Sequence, residues 1–187
     1  MLRIFISGGC KNGKSYFAQR LTQGQSEGRM YYLATMSPCD NEDYERIQRH
    51  RQERYGWGFT TIEQPVDILQ CFNLCDTNAS FLLDSTTALL ANEMFPVNNN
   101  VNLDAPNKVA NDLTNLCRQI NNIVIVSDYI YSDAILYDEL TEAYRKGLAF
   151  IDRTLAAICD VVLEVAFSSI IIHKGREVFI PFYEKIF

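Results

Sequence analysis

Apolar and polar positions along the chain fall into two alternating patterns. Near-continuous apolar runs at residues 2–7, 30–35, 80–84, 122–127 and 161–167 predict short buried β-strands. Between them lie segments with helical character. Residues 41–55 are polar and open with acidic side chains, as a helix N-terminus prefers, and Pro65 and Asp67 introduce a short helix reaching about Cys75. Residues 86–95 predict a helix closed by Pro96, and residues 108–120 another. Leu140, Tyr144, Leu148, Ile151, Leu155 and Ile158 recur at the helical period and mark a long amphipathic helix. Residues 97–106, with Asn98, Asn99 and Asn100, show no period and predict a mobile surface loop. After the last strand a short β-rich tail is expected, with residues 176–187 as a C-terminal tail. Buried strands alternating with helices predict an α/β fold: three layers, a mostly parallel sheet covered by helices on both faces, with residues 1–187 as a single domain.

Composition narrows the partners. A net charge of −6 leaves no broad basic surface for a polyanion, so no nucleic-acid partner is expected. No apolar run approaches the ~20 residues of a membrane span. Residues 1–7 run straight into a strand, so no signal peptide is expected. The six cysteines (10, 39, 71, 75, 117 and 159) lack paired C-x-x-C spacing, and the chain has two histidines. A zinc site is therefore not expected, and a reduced, cytoplasmic setting with buried or idle thiols is.

The candidate chemistry begins at Gly8-Gly9-Cys10-Lys11-Asn12-Gly13-Lys14-Ser15, which fits the phosphate-binding pattern G-x-x-x-x-G-K-[ST] between a strand and a helix. Glycines there let backbone N–H groups turn towards phosphate oxygens, and the helix N-terminus adds favourable partial charge. Lys14 would reach the β- and γ-phosphates, and the Ser15 hydroxyl would bind Mg²⁺. The fold expectation sharpens to a P-loop NTPase-like one. Ligands in such sheets gather beyond the carboxyl ends of strands, which brings Thr35 and Asp84 to the same crevice. Asp84 then reads as a second Mg²⁺ anchor or, equally well from the sequence, as the cap of the helix that follows. Arg46, His50 and Arg54 stand four apart and would share one helix face. That arrangement suits a histidine nucleophile with arginines stabilising phosphate charge, or else a solvated basic face carrying an incidental histidine. His173 reads as a surface residue of the tail.

These blocks together resemble the bifunctional adenosylcobinamide kinase / adenosylcobinamide-phosphate guanylyltransferase family of cobalamin biosynthesis. The resemblance runs through most of the chain in order. After the phosphate loop come Tyr32-Leu33-Ala34-Thr35, Asp40 with Glu42, the block Arg46-Ile47 with His50-Arg51 and Arg54, and Thr61-Ile62-Glu63-Gln64-Pro65. Leu82-Leu83-Asp84 with Thr87 and Asn92 follows, then Leu140, Arg145 and Leu155-Ala156. The resemblance implies a kinase step, in which ATP or GTP held by residues 8–15 with Mg²⁺ phosphorylates adenosylcobinamide. It implies a second step in which His50 takes a guanylyl group from GTP and passes it to adenosylcobinamide phosphate. His50, Lys14 and Arg54 are then the catalytic residues. Thr35, Arg51, Glu63 and Asp84 join the loop in nucleotide binding, Ser15 and Asp84 hold the metal, and the assembly is a homotrimer.

The chain also departs from that family, in a cluster. The family carries Asn-Glu-Val-Gly where this chain has Asp128-Tyr129-Ile130-Tyr131, a glycine where it has Asp133, and an Asn-Gln pair where it has Asp152-Arg153. Trp57 sits two positions early, with Phe59 in the family's tryptophan place. The expectation is that Tyr129, Tyr131, Asp133 and Asp152 reshape the acceptor half of the pocket. Two alternatives stay open on the sequence: a divergent P-loop kinase or nucleotidyltransferase for another small molecule, and an inactive nucleotide-binding module.

Overall fold

The computed structural model describes residues 2–38, 40–97, 100–131, 133–167 and 169–187, excepting the side chains of Glu42, Arg46 and Glu53. Seven strands form one sheet: β1 (Leu2–Gly8), β2 (Met30–Ala34), β3 (Phe59–Glu63), β4 (Ser80–Asp84), β5 (Asn122–Asp128), β6 (Val161–Ala166) and β7 (Ser169–Lys174). Their order is β3-β2-β4-β5-β1-β6-β7, parallel throughout except for the β6–β7 hairpin. The helices are α1 (Lys14–Gln25), α2 (Asn41–Glu53), α3 (Thr86–Met94), α4 (Ala105–Gln119), α5 (Glu139–Ile158) and α6 (Arg176–Ile186).

Alternate strand residues point to opposite faces, and both faces are covered. Phe5, Leu33, Phe81, Leu83 and Ile125 pack under α3, α4 and α5 through Leu89, Leu113 and Leu148. Ile4, Ile6, Leu82, Val124 and Leu163 face the other way, against Ala18 and Leu21 of α1 and Phe179 of α6. Helix starts carry capping oxygens: Asp40 accepts from Asp43 N–H at 2.8 Å, Ser85 caps α3, and Asp138 accepts from the N–H groups of Leu140 and Thr141. No helix among the described residues is long and apolar enough to cross a membrane.

Two sequence expectations are corrected and two segments gain detail. Residues 59–63, to which the sequence pattern assigns no element, form an edge strand in which only Ile62 is buried, too little apolar signal to read as a strand. The short helix expected after Asp67 is a 3₁₀ helix, Ile68–Asn73. Residues 176–186 are helical rather than tail-like, anchored by buried Phe179 and by Tyr183 stacked on Phe187. Pro106 sits in the first turn of α4, where its missing N–H costs nothing, so the helix begins at Ala105 inside the expected 97–106 loop. Asn98 and Asn99, on which the mobile-loop expectation centred, lie outside the described residues, as does Cys39. Cys71, Cys117 and Cys159 are buried free thiols, but Cys10 is exposed in the phosphate loop.

Candidate active site

β1 ends at Gly8, and the loop returns to α1 through Gly13, whose φ of 88° is left-handed backbone that glycine adopts without strain. Gly8 leaves no room for a side chain: a Cβ there would stand 2.4 Å from the Val165 carbonyl oxygen and 2.5 Å from Asn12 Nδ2. Asn12 staples the loop, donating from Nδ2 to the Val165 carbonyl and accepting the Lys14 N–H on Oδ1 at 3.2 Å. Gly13 at the N-cap has no side chain to cap α1, and Asn12 takes only the Lys14 N–H, an open helix start that suits an anion. The Lys14 ammonium is buried at the loop mouth, 2.7 Å from the Gly9 carbonyl oxygen and 2.6 Å from Asp128 Oδ1.

Beside this loop, on the β4–β5 side, opens a cavity of about 450 Å³. Its border includes Cys10, His50, Arg51, Arg54, Asp84 and Asp128. Sheet order explains the gathering: β5 lies between β1 and β4, so the ends of three neighbouring strands deliver Cys10, Asp128 and Asp84 to one edge. α2 brings His50 over that edge. Asp84 is not the helix cap, because Ser85 holds that position; instead Asp84 Oδ2 accepts from the Tyr32 hydroxyl at 2.8 Å. Arg54 lies one residue past α2, buried, with its guanidinium 3.6 Å from the Tyr32 ring centre. A cation on an aromatic face is held without losing its charge.

The remaining sequence candidates are placed as follows. Arg51 pairs with Glu63 across the cavity rim, both more than half exposed. Thr35 is fully buried and does not border the cavity; its hydroxyl donates to the Ser85 carbonyl oxygen at 2.7 Å and accepts from Ser85 N–H at 2.8 Å. It therefore sets the turn that carries Asp84. Asn92 fixes the same edge, donating to the carbonyl oxygens of Thr35 and Pro65. Ser15 is half-buried in the first turn of α1, and the side chain of Arg46 lies outside the described residues. Gly9, Lys11, Asn12 and Gly13 border a different cavity on the β6 side of the loop.

Sequence reading passed over Asp128 as a site residue, although it stands at a strand end as Asp84 does. Thr87 positions it, its hydroxyl accepting the Asp128 N–H at 2.9 Å. Tyr129, Tyr131, Asp133 and Asp152 do not border the cavity that His50 lines and are held by side-chain hydrogen bonds of their own. The Tyr131 hydroxyl donates to Asp152 Oδ2 at 2.8 Å, and Ser127 donates to the same oxygen at 3.0 Å. Burial lifts the Asp152 carboxyl to about 6, against the pull of those two hydrogen bonds. Asp133 pairs at 2.6 Å with Arg145, which also donates to the Ile130 carbonyl oxygen. From this segment only Asp128 and Ile130 reach the cavity border.

No group of three His, Cys, Asp or Glu side chains gathers among the described residues as a protein-only metal site would require. Asp84 and Ser15 are hard oxygen donors of the kind Mg²⁺ shares with phosphate oxygens, so the donor set fits an ion that arrives with a nucleotide.

A glycine-lined loop between a parallel strand and a helix, with a strand-end carboxylate two strands away, defines a P-loop NTPase fold. A solved protein of Pyrococcus horikoshii OT3 shares the fold with a TM-score of 0.56 at 13% identity, over 96% of this chain and 89% of that one. Residues 4–169 match the family described as cobinamide kinase / cobinamide phosphate guanyltransferase, and the chain belongs to that family of transferases. It is 25% identical over 166 residues to the bifunctional adenosylcobalamin biosynthesis protein CobP of Pseudomonas aeruginosa, covering 86% of this chain and 91% of that protein. It is likewise 25% identical over 172 residues to the bifunctional adenosylcobalamin biosynthesis protein CobU of Escherichia coli K12, covering 86% and 93%.

Proposed function

We propose that this chain phosphorylates adenosylcobinamide from a nucleoside triphosphate and then transfers a guanylyl group from GTP to the phosphorylated product through His50. The observation that carries this reading is a cavity bordered at once by Cys10 of the phosphate loop, the strand-end carboxylates Asp84 and Asp128, and His50. In the first step the acceptor hydroxyl oxygen bonds to the γ-phosphorus while the bond to the β–γ bridging oxygen breaks, releasing the diphosphate. Lys14 leaves Asp128 for the phosphate as the triphosphate binds. Asp128, freed on the cavity wall, then takes the hydroxyl proton. Mg²⁺ held by Ser15 and Asp84 would supply charge neutralisation for the phosphates.

In the second step a His50 ring nitrogen attacks the α-phosphorus of GTP and pyrophosphate departs. The phosphate oxygen of the acceptor next displaces His50, giving the GDP-linked product and the free imidazole. Arg54, fixed on Tyr32, compensates charge on the phosphorus under attack. The same family reading makes the chain a single-domain cytoplasmic homotrimer that meets a nucleotide and a corrinoid.

GTP labelled at the α-phosphate tests this. The label is expected on the wild-type protein, stable in alkali and lost in acid as a phosphoramidate is. It should be absent from His50→Ala and should form roughly ten- to a thousand-fold more slowly in Arg54→Ala. Lys14→Ala should lose triphosphate turnover while remaining folded. An unlabelled wild-type protein would reject the guanylyl-transfer assignment. Label without phosphorylation of adenosylcobinamide would direct attention to another acceptor.

A further inference from the structure

We propose that a second cavity, on the β6 side of the phosphate loop, seats the purine base of the phosphoryl donor between Tyr129 and Phe167. The proposal rests on the phosphate-loop reading above and adds the place of the base. The cavity measures about 570 Å³, within the range of small-molecule sites, and the loop residues Gly9, Asn12 and Gly13 form one wall. Tyr129 and Phe167 stand among the others.

The two rings are held very differently. Tyr129 follows β5 and crosses the end of β1, its N–H donating to the Gly8 carbonyl oxygen at 3.3 Å. Its hydroxyl reaches Glu164 of β6 at 3.3 Å, and that carboxylate is bonded in turn to His173 Nε2 at 2.9 Å. One aromatic wall is thus braced on the sheet. Phe167, in the β6–β7 turn, is 99% exposed, and its φ of 51° lies in the left-handed region that glycine or asparagine would occupy without strain. A single exposed apolar side chain is ordinary. A strained, fully exposed phenylalanine sharing a cavity with a braced tyrosine and a phosphate loop is a different matter: it offers a ring face on which a base can stack.

Sheet order sets the direction of the nucleotide. The loop sits between β5 and β6, with the Asp84–Asp128 cavity on one side and this one on the other. A triphosphate whose terminal phosphate meets Lys14 beside Asp128 extends its ribose and base towards β6. Stacking reads the π-face of a base rather than its hydrogen-bonding edge, so both purines should be accepted.

The test compares binding of Mg²⁺–ATP and Mg²⁺–GTP with binding of Mg²⁺–tripolyphosphate, which has no base, by calorimetry on the intact protein. Phe167→Ala should weaken both nucleotides roughly ten- to a hundred-fold and leave tripolyphosphate unchanged, as loss of one base-stacking ring does. Phe167→Trp should restore or exceed wild-type affinity, and Tyr129→Phe should retain most of it. Unchanged nucleotide affinity in Phe167→Ala would overturn the proposal, and a change of oligomeric state instead would reassign the ring to a subunit contact. Equal weakening of all three ligands would overturn it too. If Lys14→Ala alters none of the ligands, the phosphate-loop reading itself fails and takes the base site with it. Lys14-dependent tripolyphosphate binding with no effect of Phe167→Ala removes the base site alone.

Discussion

Asp152 is a buried carboxyl bonded to the hydroxyls of Ser127 and Tyr131, with no ion pair among the described residues, and its chemistry follows from that. Burial raises it to about 6 in the folded chain, while an exposed aspartate titrates near 3.8. An acid raised by folding contributes stability that is fully present below its unfolded value and is lost as pH climbs through the folded one. Wild-type stability should therefore fall between about pH 4 and pH 7 by more than that of Asp152→Asn, which cannot ionise. Urea unfolding across that window checks it, and parallel curves for the two proteins would mean the carboxyl is solvated or paired. Single residues also mark where sequence reading stops. Asp128 looked like one more departure from a family pattern, because nothing in the order of residues says that β5 lies beside β1. Its 2.6 Å contact with Lys14 is a product of strand order. The P-loop and Asp84, by contrast, were legible from local pattern and from the rule that strand ends collect ligands.

Lys108 shows what holds the elements together around the site. Its ammonium lies 2.9 Å from Asp67, 2.5 Å from Glu93 and 3.2 Å from Asp112, joining the 3₁₀ helix, α3 and α4. Burial works against the charge, but the bonds to Glu93, Asp67 and Asp112 hold it above the ordinary lysine range. A raised lysine contributes stability that persists through neutral pH and fades only above that range. Lys108→Met keeps the apolar stem and should cost about 1–2 kcal/mol at pH 7, leaving three carboxylates facing one another. Chemical denaturation with an unchanged slope would show this, and no loss would mean that solvent screens the cluster. At this scale the interior strands were readable because sheets covered on both faces demand continuous apolar runs. β3 was not, since one buried isoleucine in an edge strand makes no period. α6 was hidden by Pro181, which ordinarily argues against a helix interior and here is accommodated within it.

The whole molecule is organised around β1, which pairs with β5 on one side and β6 on the other, from Leu2 beside Asn122 to Gly8 beside Val165. The phosphate loop is therefore written near the start of the chain but held by strands from its last third. At ~5–20 residues per second of synthesis, β1 waits several seconds for either neighbour. Until β6 arrives, the loop lacks the Val165 carbonyl that receives Asn12, and the β1 edge on that side is unpaired. A chain ended after residue 158 should accordingly show no cooperative unfolding and no binding of Mg²⁺–ATP, whereas one ended after residue 187 should show both. Far-UV circular dichroism melts and calorimetry would separate them, and a cooperative, nucleotide-binding fragment would refute the dependence. For a growing chain, the motif most easily recognised in the sequence becomes a site only after β6 has emerged. Its earliest strand is, for those seconds, an apolar edge that needs shelter from its neighbours.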